Sequence, residues 1–122
     1  MKKKGAIYFN VNPNVSYVKG TTKHRLDNLL LACREKGIEI DNKNIYIDNC
    51  SFDMPKLELR KMLNSAGKKN FDVLLIYDYR DLTRKIYELY KIYLHLKEKN
   101  IKLEHYKEHD IEAITFNKKS KI

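Results

Sequence analysis

Apolar and polar positions fall into successive blocks along the chain. Ala6 to Val11 is a mostly apolar, β-prone stretch that runs into Asn10, Asn12, Pro13 and Asn14, the pattern of a short buried strand with a polar end. Gly20 to Thr22 reads as a loop, after which Leu26, Leu29, Leu30 and Cys33 recur at helical spacing up to Gly37, a C-terminal stop. Asn44 to Asp48 predicts a second strand. Past the polar stretch Asn49 to Asp53, Pro55 stands where a first helical turn accepts proline, and Leu59, Met62, Leu63 and Ala66 give an apolar face closed by Gly67. Phe71 to Tyr77 carries the strongest strand pattern, an apolar run expected in the centre of a sheet covered on both faces. Leu82, Ile86, Leu89, Tyr93 and Leu96 mark one stripe of a long helix ending before Asn100. Ile101 to Tyr106 predicts a further strand, and Ile111 to Phe116 either a last strand or a short helix.

The order β-α-β-α-β-α-β specifies an α/β fold, because parallel neighbours need right-handed crossovers and helices then cover both faces of the sheet. A mixed, mostly parallel sheet of four or five strands is expected, with functional groups at the carboxyl ends of the strands. At 122 residues the chain reads as a single domain spanning 1–122, without internal repeats. No apolar run approaches the roughly 18 residues of a membrane span. The basic start Met1 to Lys4 is not followed by a signal-peptide core. The reading is a cytoplasmic protein with no membrane partner, in which Cys33 and Cys50 are reduced thiols.

Several blocks carry a specific likeness. Ala6-Ile7-Tyr8-Phe9-Asn10-Val11-Asn12, then Arg25-Leu26-Asp27-Asn28-Leu29-Leu30 up to Gly37, Tyr46-Ile47-Asp48, Phe71 to Tyr77, and Arg80-Asp81-Leu82-Thr83-Arg84 together resemble the N-terminal catalytic domain of serine recombinases, the resolvase and invertase family. The likeness runs from about Ala6 to Glu108. It implies a three-layer resolvase-like fold and the chemistry of DNA recombination. In that chemistry a serine attacks a phosphodiester, a phosphoserine link forms, and arginines hold the phosphate.

The residues that such chemistry needs are largely replaced. In the family's Tyr-x-Arg-Val-Ser motif the nucleophile position carries Asn12 and the arginine position Asn10. An amide can neither attack as an alkoxide nor neutralise a phosphoryl oxygen as guanidinium does. Met54 stands where an arginine precedes the proline, and the Asp-Arg order of the Asp-Arg-Leu-Ser-Arg motif is inverted to Arg80-Asp81, leaving Asp81 at an arginine position. Leu82, Thr83 and Arg84 fit the motif. The resemblance therefore implies phosphate binding by Arg84, with Arg80 displaced by one residue, and no evident nucleophile. Ser16, four residues past Asn12, and Ser51 are the candidate substitutes.

Charge supports a polyanionic partner: 25 Lys and Arg stand against 16 Asp and Glu, a net charge of +9, with basic clusters at Lys2 to Lys4, Lys68-Lys69 and Lys118 to Lys121. The same excess also suits a solvating surface. Other motifs carry less. His105-Tyr106-Lys107-Glu108-His109 matches the inverted zinc-protease string, but on a strand the four-residue separation makes no metal face, and His24 and His95 read as surface helix residues. Tyr87, Tyr90 and Tyr93 suit helix packing with their hydroxyls at the rim, against the alternative of base stacking. Asp48, Asp72, Asp78 and Asp81 lack the acidic first strand of a magnesium-binding receiver. No metal and no cofactor is expected.

The reading drawn from the sequence is a catalytically degenerate resolvase-like domain, from a mobile element or its remnant, with no separate DNA-binding domain. DNA is its expected partner. It would act on DNA, as a homodimer or in a heteromer with an active recombinase. An active recombinase using a displaced serine is the alternative, and a protein–protein interaction module without DNA affinity is a second.

Overall fold

A computed structural model describes residues 3–12, 21–51 and 54–106. Strand β1 (Lys3–Asn10) leads to helix α1 (Thr21–Glu35), strand β2 (Ile38–Asp48), helix α2 (Leu57–Gly67) and strand β3 (Val73–Ile76). A single 3₁₀ turn (Tyr79–Asp81) then precedes helix α3 (Ile86–Glu98) and strand β4 (Lys102–His105). The strands lie in the order β2-β1-β3-β4 and all three pairings are parallel.

The period-two geometry of strands divides the core in two. Ala6 and Tyr8 of β1 and Leu74 and Ile76 of β3 face one side, where they pack with Met62 and Ala66 of α2 and Leu89 and Leu96 of α3. Ile7, Phe9, Val73 and Leu75 face the other side and meet Leu29 and Cys33 of α1. Because both faces of β1 and β3 are covered, residues 6–9 and 73–76 are entirely apolar and buried. The three-layer α/β architecture read from the sequence is thus the observed one.

Details depart from the pattern for identifiable reasons. β2 begins at Ile38, six residues before the predicted Asn44, because Lys3 to Gly5 pair with Ile38 to Ile40 before the register shifts between Gly5 and Ile7. The polar stretch Asp41 to Lys43 hides that early half in the sequence. A Cβ at Gly5 would run into Ile38. Thr21 and Thr22, read as loop, open α1. Pro55 precedes the N-cap Lys56 and is not in the first turn of α2. The apolar run at 71–77 yields only four strand residues, and β3 shares the middle of the sheet with β1. α3 starts at Ile86, after the 3₁₀ turn, so Leu82 is buried in the connection while Ile86 is exposed.

Helix ends are closed in two different ways. Gly37 takes the left-handed conformation, φ 70°, that stops α1. After α2 it is Lys69, not Gly67, that turns left-handed, φ 56°. Lys69 Nζ then donates to the carbonyls of Lys99 at 2.7 Å and Asn100 at 3.1 Å, tying the end of α2 to the end of α3. The segment Ile111 to Phe116 lies outside the described residues, as do Ser16, Lys2, Lys107 to His109 and Lys118 to Lys121. No helix among the described residues is long and apolar enough to cross a membrane.

Candidate functional site

The carboxyl ends of β1, β2 and β3 bring Asn10, Asp48 and Asp81 together, as the topology requires of a parallel sheet. Asn10, at the last position of β1, is 1 % exposed. Its amide donates to the Cys50 carbonyl at 3.0 Å and accepts from the Cys50 backbone N–H at 3.2 Å, which extends the β1–β2 contact by one more residue. An arginine has five donors and no acceptor and could not close this ring. Asn12 is also buried, 2 % exposed.

Asp48 is committed to the fold. Its carboxylate accepts from the backbone N–H of Glu58 at 2.9 Å and of Leu59 at 3.0 Å, capping α2 from outside because Lys56 offers no side-chain cap. Tyr8 donates its hydroxyl to the same carboxylate at 2.7 Å. Burial, reinforced by that bond, drives the Tyr8 hydroxyl well above the usual phenol range, so the proton stays on Tyr8. Burial and the Asp48 charge also raise the Cys50 thiol, which keeps it neutral and poorly nucleophilic.

Arg25, from the first turns of α1, reaches into the same space. Its Nη1 donates to the Asn10 carbonyl at 3.3 Å and lies 3.6 Å from Asp81 Oδ2, both side chains being less than 15 % exposed. Its guanidinium carbon sits 4.6 Å above the Tyr77 ring, and Tyr77 stacks on Tyr106 at 5.1 Å. Burial pushes the Asp81 carboxyl up to about 7 against the opposing pull of Arg25. A cation and an anion thus neutralise each other at the strand ends.

The other expected residues separate. Arg80 folds back on Asp78, donating through Nε at 3.2 Å and Nη2 at 3.0 Å. Burial alone would raise the Asp78 carboxyl, but the Arg80 bonds outweigh it and leave Asp78 below the ordinary range. Asp72 precedes β3 and so lies at the opposite end of the sheet from Asp78 and Asp81. No cluster of three metal-ligating side chains occurs among the described residues. His105 lies on β4, with its ring 5.4 Å from Tyr79. Tyr87 and Tyr90, expected to pack, are exposed, because the face that α3 turns toward the sheet carries Leu89, Ile92 and Leu96. Ser51 follows Cys50 and is half-buried, and Met54 is exposed. Thr83 accepts the backbone N–H of Lys85 at 3.2 Å and so shapes the start of α3.

Arg84 belongs to a second feature, a groove of about 940 Å³ between α2 and the segment leading into α3. Lys56, Arg60, Arg84 and Lys85 line it together with Leu59 and Leu82. Sequence reasoning placed Arg84 at a site but missed Lys56, Arg60 and Arg25. For Arg25 the signal was its place near the start of a helix that follows a strand end; for Lys56 and Arg60 it was their separation of one helical turn.

The model of the resolvase N-terminal domain matches residues 15–120. The chain belongs to the resolvase family. The match starts after β1, so the pairing of Asn10 and Asn12 with the recombinase motif rests on the blocks quoted above. Three solved structures share the resolvase fold. The N-terminal catalytic domain of TP901-1 integrase is 21 % identical, with a TM-score of 0.71 over 87 % of this chain and 78 % of that one. The C-terminal catalytic domain of ISC1926 TnpA, an IS607-like serine recombinase, is 21 % identical, with a TM-score of 0.73 over 84 % and 70 %. A resolvase family site-specific recombinase from Streptococcus pneumoniae is 12 % identical, with a TM-score of 0.69 over 98 % and 87 %. No curated protein matches the chain.

Proposed function

We propose that this resolvase-family domain associates with DNA without cleaving it, alone or beside an active recombinase. One observation carries the reading: where serine recombinases place cations for the phosphate, this chain has Asn10 and Asp81, and the nearby cation Arg25 is taken up by Asp81 at 3.6 Å. Phosphoryl transfer needs net positive charge at that point to stabilise the developing anion. A carboxylate there opposes it. Two of the described hydroxyls near the strand ends are in structural use, Tyr8 donating to Asp48 and Thr83 accepting from the Lys85 N–H. Arg84, beside the groove, supports retention of the phosphate backbone.

Supercoiled DNA carrying candidate crossover sites, incubated with the protein and resolved under denaturing conditions, tests the reading. The expected result is salt-sensitive DNA retention with no nick and no covalent adduct. An adduct lost in Ser16→Ala or Ser51→Ala establishes the alternative, an active recombinase with a displaced serine. Absence of DNA retention at low salt leaves a protein–protein module.

A further inference from the structure

Independently of the DNA reading, we infer that the domain associates head to tail with further copies of itself, Leu31 of α1 entering a groove between α2 and α3 of the next copy. Leu31 is 51 % exposed, because α1 turns Leu29 and Cys33 toward the sheet and leaves the position between them in water. Asp27 and Glu35 stand four residues before and after it, on the same face of the helix and about 6 Å of rise away on either side. Lys23 engages Asp27 at 2.8 Å, whereas Glu35 makes no ion pair among the described residues. The outer face of α1 thus carries an apolar knob with an unmatched carboxylate one turn away.

The opposite outer face of the domain has the complementary form. Leu63 of α2 and Ile92 of α3, both half-buried, line a groove of about 390 Å³ together with Gly67, Lys91 and His95. The space before Gly67 is empty, since a Cβ there would meet nothing within 4 Å. No carboxylate lines this groove, and the Lys91 ammonium, 4.5 Å from the centre of the Tyr87 ring, makes no ion pair among the described residues. Its occupant is therefore an apolar side chain flanked by acid. Among the exposed large apolar side chains of the described residues, Leu31 alone has a carboxylate four residues away on both sides. Burial of Leu31 supplies the attraction, and pairing of Glu35 with Lys91 of the neighbouring copy sets the orientation. Because α1 covers one side of the sheet and α2 and α3 the other, knob and groove lie on opposite faces of one copy. A contact between unlike faces does not close as a symmetric pair, so it adds copies in a row. With one anchoring side chain, it belongs at the weak end of protein interfaces.

Sedimentation velocity of the full chain over a dilution series, without DNA, tests the inference. The parent is expected to grow past the dimer as concentration rises. Leu31→Ala lowers the association constant about tenfold, the effect of burying one leucine side chain less. Gly67→Met, which fills the groove, lowers it at least as far. Leu31 is exposed and Gly67 faces open space, so unchanged unfolding midpoints show both folds intact. At a concentration where the parent is half associated, each variant alone stays monomeric, but their mixture forms dimers and nothing larger, because each keeps the half that the other lacks. Glu35→Lys also weakens association, and Lys91→Glu added to the same chain restores it. A parent that stays monomeric throughout, a parent dimer that Leu31→Ala leaves unchanged, or a mixture that does not pair would each overturn the inference. None of these outcomes touches DNA retention, which is measured separately.

Discussion

Two adjacent regions of this domain treat charge in opposite ways. At the strand ends Arg25 meets Asp81 at 3.6 Å and Asn10 closes a two-bond ring with Cys50; Asn10 and Asp81 are buried, Arg25 and Cys50 partly so. In the groove beside α2 the cations Lys56, Arg60, Arg84 and Lys85 outnumber Glu88 and face solvent. The same topology produces both, since parallel strands deliver side chains to one end and the following segments rise around it. What differs is burial. Inside, a charge must be matched or it destabilises the fold; outside, a charge in water costs little whether or not it is paired. On the proposed reading, a site without substrate charges is expected to fill with internal pairs, and the strand ends hold such a pair in Arg25 and Asp81.

The largest test of this contrast is Arg25→Met. It leaves the Asp81 carboxylate buried without its cation, and urea unfolding at pH 8 is expected to show a loss of about 3–5 kcal/mol. The loss shrinks in acid, where Asp81 takes up a proton. Next comes Asp48→Ala, which uncaps α2 and strands the Tyr8 hydroxyl, for a loss of about 2–3 kcal/mol in the same measurement. Equal, small effects from both would mean that the strand-end network does not hold the end of the sheet together.

The pH dependence sharpens the point. The folded Asp81 carboxyl sits at about 7, above its ordinary 3.8. A raised carboxyl means that the folded state binds the proton more tightly, so the contribution of Asp81 is full below about 3.8 and is lost as pH rises to about 7. The stability of the parent relative to Asp81→Asn is expected to fall across that window and to level off above it. Unfolding curves at several pH values check this, and a difference that does not change with pH contradicts the burial of Asp81.

The smallest expected effects lie outside. Arg84→Ala changes stability by no more than about 0.5 kcal/mol while lowering DNA affinity. Arg80→Ala removes its fork on Asp78, a pair whose arginine end lies in solvent and which is worth about 1 kcal/mol, and leaves DNA affinity as it was. A strong loss of DNA binding in Arg80→Ala would move the contact surface from the groove to the 3₁₀ turn.

These contrasts also explain what could be read in the sequence. Residues 6–9 and 73–76 announce themselves because both faces of β1 and β3 are covered, and no polar residue interrupts them. The early half of β2 escaped notice because an edge strand exposes Glu39 and Asp41 to Lys43 to water. Asn10, Asn12 and Asp81 stood out through the motif-like blocks that hold them. Their partners were not legible, since Arg25 is fifteen residues from Asn10 and Cys50 forty. Long-range pairing depends on how the strands assemble, and no local spacing encodes it. The groove was half legible: Arg84 lay in a motif, but Lys56 and Arg60 belong to another helix and become its neighbours only when α2 docks on the sheet.

Trapping of a covalent protein–DNA intermediate bears most directly on the claim that a recombinase scaffold here has lost its attacking group. With supercoiled substrate, and an active serine recombinase as the positive control, the expected outcome is retained, intact DNA and no phosphoserine-linked protein. A phosphoserine adduct mapped to Ser16 or Ser51 would contradict it.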